Sequence, residues 1–144
     1  ECSADLAVAA NIPERYISSS EQRMDIYRRI ALIRSQEEAD DLTDELIDRF
    51  GDPPSGVSAL IHVALLRGEA GKAGISDISQ KQGYLRFTVR DFDMEKVSEL
   101  YARPEYRGRL RVEAGSKPCL SLKIKQKNKV IDEARAFVAH WGEK

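Results

Sequence analysis

The side chains able to do acid–base, nucleophilic or metal chemistry are all present in this chain, but they are not assembled. His62 and His140 are the two histidines and Cys2 and Cys119 the two cysteines of 144 residues. A metal site needs three or four ligands at characteristic spacings, and a Cys–His nucleophile needs its base within hydrogen-bond reach. Neither cysteine neighbours a histidine in sequence. The nine glycines are scattered, and none forms the Gly-x-x-x-x-Gly-Lys-Ser/Thr loop that cradles phosphates. No serine stands in Gly-x-Ser-x-Gly. Carboxylates abound, yet a general acid–base pair needs burial to push two pKa values apart, and those here fall on polar faces. The sequence reads as a binding or regulatory module, with no catalytic residue, cofactor or metal of its own.

The carboxylates are concentrated. Residues 36–50 hold seven acidic side chains against one Arg49. At about 100° per helical residue, Asp41, Glu45 and Asp48 fall in a sector roughly 60° wide, flanked by Glu37 and Asp44. Ala39, Leu42, Leu46 and Phe50 make the apolar stripe of the same helix. Like charges at i, i+4 cost a few tenths of a kcal/mol each, and Glu37–Asp41 and Asp41–Glu45 carry that cost with no Lys nearby. Such a face is either simply solvated or a receptor for arginines of another domain, whose planar guanidinium pairs with carboxylates. Arg49 is expected to pair locally with Glu45, four residues back.

Elements to position that face follow from periodicity. Leu6, Val8 and Ala10 alternate as in a short strand, and Asn11-Ile12-Pro13 breaks it. Ser18-Ser19-Ser20 offers caps for a helix running to about Ser35, with Ile26, Tyr27, Ile30 and Ile33 inward. Ser35 and Glu38 form a capping box for the acidic helix, which Gly51 and Asp52-Pro53-Pro54 end at Phe50. A third helix spans about Ser55–Ala73, burying Val57, Leu60, Ile61, Ala64 and Leu65. The period then changes. Ile75–Gln80 and Tyr84–Val89 read as a hairpin, Asp93 caps a short helix stopped by Pro104, Leu110–Glu113 and Leu120–Lys125 read as strands, and a helix closes the chain near Val130–Trp141. Cys119 is expected at the start of a strand, buried; Cys2 is expected in a frayed end. The fold class is α+β: an N-terminal strand and helices packed with a small, mainly antiparallel sheet and a C-terminal helix, as one domain over residues 1–144.

Three segments in this order resemble the C-terminal domain of the bacterial transcription-repair coupling factor (Mfd) family. They are Ala10-Asn11-Ile12-Pro13-Glu14-Arg15-Tyr16-Ile17, then Arg23 to Ala31, then Glu45-Leu46-Ile47-Asp48-Arg49-Phe50-Gly51 with Pro54 beyond. The resemblance is carried mostly by residues 10–54; residues 75–144 share only the order of elements. It implies a parent that uses ATP to translocate on DNA, pushes on stalled RNA polymerase and recruits UvrA for nucleotide excision repair. It implies a non-catalytic C-terminal domain that covers the UvrA-binding face of the parent's UvrB-like module, with Glu45 and Asp48 contacting arginines there. Asp41 joins them on the acidic sector. Leu46 and Phe50 are expected in the core, and Tyr16 and Tyr27 as packing residues with a polar tip.

Bulk properties bound these readings. Hydrophobic residues make up 42% and charged residues 33% of the chain, and no apolar run approaches the roughly 20 residues of a membrane span. The chain opens on Glu1-Cys2-Ser3 rather than Met, from which an excised fragment of a larger protein is expected, and two cysteines are too few for a disulfide scaffold, which makes the cytoplasm the default compartment. Residues 103–129 hold nine basic and two acidic residues, while residues 1–60 hold six basic and thirteen acidic. Arg107, Arg109 and Arg111 alternate, as do Lys123, Lys125, Lys127 and Lys129. A basic sheet face at 107–129 is the rival function, a nucleic-acid-binding module. Tyr106 is the single aromatic between Arg103 and Lys129, which argues against a stacking platform, and edge lysines also protect sheets from mispairing. A purely structural domain, indifferent to its acidic face, is the third reading.

Overall fold

A computed structural model describes residues 2–113 and 115–143. It is an α+β chain with two compact units: residues 8–68, and residues 1–7 together with 69–144.

The first unit is helical. Helix α1 (Ser20–Ala31) starts where the Ser19 hydroxyl accepts from Gln22 N, and α2 (Gln36–Phe50) starts where Ser35 accepts from Glu38 N. The return bond of the capping box falls one residue early, because the Glu38 carboxylate accepts from Arg34 N at 2.8 Å, and from the Ser35 hydroxyl at 3.3 Å, rather than from the backbone N–H of the cap. Helix α1 is shorter than its periodicity suggests. Leu32 N and Ile33 N donate to Arg29 O and Ile30 O, a tightened last turn, and Ile33 still reaches the core. That core joins Ile12, Ile17, Ile26, Ile30, Ala39, Leu42, Leu46, Val57, Ile61 and their neighbours, with Tyr16, Phe50 and Leu60 half-buried against it. Helix α3 (Ser55–Lys72) carries Val57, Ile61 and Leu65 into this core. Its Gly56 leaves room for the extended segment ahead of α1: a Cβ there would stand 2.6 Å from Asn11 Oδ1 and 2.9 Å from Asn11 O, and Asn11 N donates to Gly56 O.

The second unit is a five-stranded sheet in the order β1-β2-β3-β5-β4. Its strands are β1 (Ser3–Asp5), β2 (Ile75–Lys81), β3 (Tyr84–Val89), β4 (Leu110–Glu113) and β5 (Cys119–Lys123). Strand β1 runs parallel to β2, and the other pairs are antiparallel. Gln82 and Gly83, both at positive φ, turn β2 into β3. Helix α4 (Met94–Ala102) is capped by Asp93, whose carboxylate accepts from Glu95 N and Lys96 N. Helix α5 (Val130–Gly142) puts Phe137 against Phe87, ring centroids 4.2 Å apart and stacked. Ile78, Phe87 and Leu120 are register partners across the sheet and fully buried.

Four expectations are corrected. Leu6, Val8 and Ala10 alternate in burial with exposed neighbours, but the ladder stops at Asp5; alternation reports an extended backbone, not a hydrogen-bonded one. Cys2 is not frayed but buried, at the foot of β1. Strand β5 ends at Lys123, and Lys127–Lys129 is a 3₁₀ turn, so the four lysines do not share a strand face. Arg107 and Arg109 lie in the turn before β4, which leaves Arg111 alone of the three on a strand.

Candidate docking surface

Helix α2 sets out its side chains around Leu46, which is fully buried. At 100° per residue Glu45 and Arg49 fall to one side and Ile47 to the other, while Glu37, Asp41, Asp44 and Asp48 share an outward sector roughly 60° wide. The helix end is built firmly. Gly51 closes it at φ +88, where an L side chain is strained. The Tyr16 hydroxyl donates to Gly51 O at 2.7 Å and lies 3.3 Å from Leu46 O. Its ring sits 5.8 Å from that of Phe50. Burial, and then the Asp52 carboxylate, raise the Tyr16 phenol. Tyr27 works similarly on α1, its hydroxyl accepting from Ile12 N at 2.8 Å.

Glu45 and Asp48 differ sharply in occupation. Arg29 of α1 grips Glu45 with two parallel bonds, Nη1 to Oε2 at 2.6 Å and Nη2 to Oε1 at 2.7 Å. Arg49 adds the expected i, i+4 bond to Oε2 at 3.0 Å. Those hydrogen bonds hold the Glu45 carboxyl well below the ordinary range, at about 2, and the Glu45 bond raises Arg29 in turn. A carboxylate offers about four acceptor positions, so one on Oε1 stays open. Asp41 and Asp48 are exposed, as are Glu37 and Asp44, and among the described residues none of the four is in an ion pair. Exposed Ile47, at 41%, is an apolar neighbour of this acidic row.

Sequence reasoning placed Glu45, Asp48 and Asp41 together and missed Arg29. The signal for it was the short link between α1 and α2, which makes such helices antiparallel neighbours and brings the last turn of one beside the length of the other.

Other candidates resolve structurally. His62 is exposed. The His140 ring shares a hydrogen bond with the Tyr106 hydroxyl, and burial pushes that phenol up to about 12. Arg109 donates to Glu105 O, to Lys123 O and to Glu133 at 2.6 Å. A depression of about 420 Å³ beside Trp141 is lined by Asp91, Asp93 and Lys96, with the Lys96 amine donating to Trp141 O at 2.8 Å. Among the described residues no group of His, Cys, Asp and Glu is placed to hold a metal. Among the described residues no helix is long and apolar enough to cross a membrane.

The chain as a whole has counterparts among known proteins. A family model, the TRCF domain, matches residues 6–100. The chain belongs to the TRCF domain family. Among its relatives are the transcription-repair-coupling factors of Bacillus subtilis strain 168, 34% identical over 69% of this chain, and of Escherichia coli K12, 32% identical over 60%. The chain spans 9% and 8% of the length of these relatives. A crystal structure of the C-terminal domain of transcription-repair coupling factor superposes with a TM-score of 0.83, over 97% of this chain and 92% of that one, at 19% identity. The TRCF fold thus extends past the family match, through the strands and helix of residues 101–143.

Proposed function

We propose that this TRCF domain is a non-catalytic regulatory module, acting as one domain of a coupling factor in transcription-coupled DNA repair. It docks on the parent's UvrB-like module and masks the UvrA-binding surface until the parent engages stalled RNA polymerase. Translocation on DNA with ATP belongs to other parts of the parent. The observation that carries the reading is the row of exposed carboxylates on α2 that, among the described residues, pair with no cation, while Arg29 and Arg49 are committed to Glu45. That arrangement fits arginine recognition. The Glu45–Arg29–Arg49 cluster bears a net positive charge, so the attraction for an incoming guanidinium comes from Asp48 and Asp41, about seven residues or 10 Å apart along the helix. Glu45 then contributes its open acceptor position and a fixed platform.

The test is charge reversal at Asp48, which among the described residues is in no ion pair. Asp48→Arg should abolish binding of this domain to the separate UvrB-like module and increase UvrA capture by the full-length parent. Unchanged binding in both assays overturns the docking surface.

A further inference from the structure

The sheet has a polar side that the acidic helix does not explain. Residues directly opposite on antiparallel strands project from the same face. Lys81 pairs with Tyr84, and Tyr84 with Lys123, so the three form one cross-strand row at the turn end of the β2–β3 hairpin. Arg111, register partner of Ser121, belongs to the adjoining row with Arg86. Its guanidinium carbon stands 4.0 Å from the Tyr84 ring centroid. Three cations from three strands thus share this face around Tyr84, with Arg111 over its ring and Lys81 and Lys123 as its register neighbours. Lys81, Arg111 and Lys123 are exposed, and among the described residues none of them makes an ion pair. Arg86, beside them, is neutralised by Glu113 at 3.1 Å.

We infer that Lys81, Tyr84, Arg111 and Lys123 form a binding site for the phosphate backbone of a single-stranded nucleic acid. Adjacent strands lie about 4.8 Å apart, so Lys81 and Lys123 stand roughly 10 Å from each other across the sheet, close enough for their flexible side chains to reach neighbouring phosphates of one strand. Tyr84 fixes the Arg111 guanidinium through cation–π attraction, so its planar donor fork is presented without first losing rotamer freedom. The row is flanked on this face by Ser79, Ser121 and Arg86. It lacks the apolar anchor at the centre of a protein interface and any apolar side chain to enter a lipid surface. Recognition of this kind is independent of base sequence. The site is distinct from α2, and the unit that holds it carries sixteen basic and thirteen acidic residues, against seven and eleven in residues 8–68.

The experiment is fluorescence anisotropy of a labelled twelve-nucleotide oligo(dT) with the whole chain across 20–200 mM salt. Neutralising three phosphates of a single strand predicts a slope of log K on log salt of about −2. Arg111→Ala with Lys123→Ala should weaken binding roughly tenfold, and Tyr84→Leu, with every cation kept, roughly threefold. Lys127→Ala with Lys129→Ala removes the same charge off the row and should change little. No binding at 20 mM salt overturns the site. So does an equal loss in the two double variants, or displacement of the oligonucleotide by poly-glutamate at equal charge. Because none of these variants alters α2, the outcome is separate from that of Asp48→Arg.

Discussion

At the scale of single residues, Glu45 shows how a carboxylate can be committed before any partner arrives. Its bidentate bond to Arg29 and its bond to Arg49 lower its pKa to about 2 in the fold. A depressed pKa stabilises the folded state above the unfolded value, and that stability is lost as pH falls toward the folded value. The triad's contribution is therefore full at pH 7 and disappears between about 4.5 and 2. Both side chains are about a third or more exposed, so its size is that of a good surface pair, about 0.5–1 kcal/mol. Urea unfolding of Glu45→Gln should show that deficit at pH 7 and converge with the parent chain near pH 2; parallel curves at all pH values would remove the ion pairs as the cause. Tyr106 is the opposite case. Burial raises its phenol to about 12, so the stability it protects is present below pH 10 and falls as pH rises from there toward 12. Tyr106→Phe should flatten that alkaline decline while leaving the His140 ring without its partner, at a neutral-pH cost of about 1 kcal/mol.

At the scale of elements, two glycines do different work, and only one was legible. Gly51 follows an amphipathic helix and precedes Asp52-Pro53-Pro54, a stop signal that its φ of +88 matches. Nothing lies within 4 Å of a Cβ there, so Gly51→Ala should cost only backbone strain, about 1–2 kcal/mol. Gly56, inside the first turn of α3, has ordinary helical backbone and would be expected to gain from alanine on propensity. The close approach of Asn11 reverses the sign: Gly56→Ala should destabilise by about 1–3 kcal/mol through overpacking, read as a lowered urea midpoint. A long-range contact of this kind leaves no local trace in sequence, and the same holds for the grip of Arg29 on Glu45. What was legible were features encoded locally. The caps at Ser35 and Asp93, the Lys81–Gly83 turn and the stripe of Leu42 and Leu46 all appear where periodicity and turn chemistry put them. The basic segment failed for a related reason. Alternation of Lys123, Lys125, Lys127 and Lys129 suggested one strand, but pairing ends where β3 turns at Gly83, which accepts the Ile124 N–H. Register, not composition, then selected Lys123 and set it beside Tyr84, an aromatic distant in sequence from the basic run.

At the scale of the whole molecule, a net charge of −1 conceals two surfaces of opposite sign, each of which loses its partner as salt rises. The proposed docking surface is a row of exposed carboxylates with Ile47 at its side. Exposed charges interact over a Debye length of about 8–10 Å near physiological salt, and Asp41 and Asp48 are separated by about that distance along the helix. Each must therefore meet its own arginine at close range, with little help from the general field. Two such contacts, each worth about 1–2 kcal/mol at low salt when charge-assisted, predict that affinity for the UvrB-like module falls by roughly tenfold between 50 and 300 mM salt as screening tightens. Removing the apolar contribution with Ile47→Ser should lower affinity at both salt concentrations and leave the slope unchanged. Isothermal titration across that range checks both. If affinity proves insensitive to salt and sensitive only to Ile47, the carboxylate row is a solvated face and docking rests on apolar burial alone.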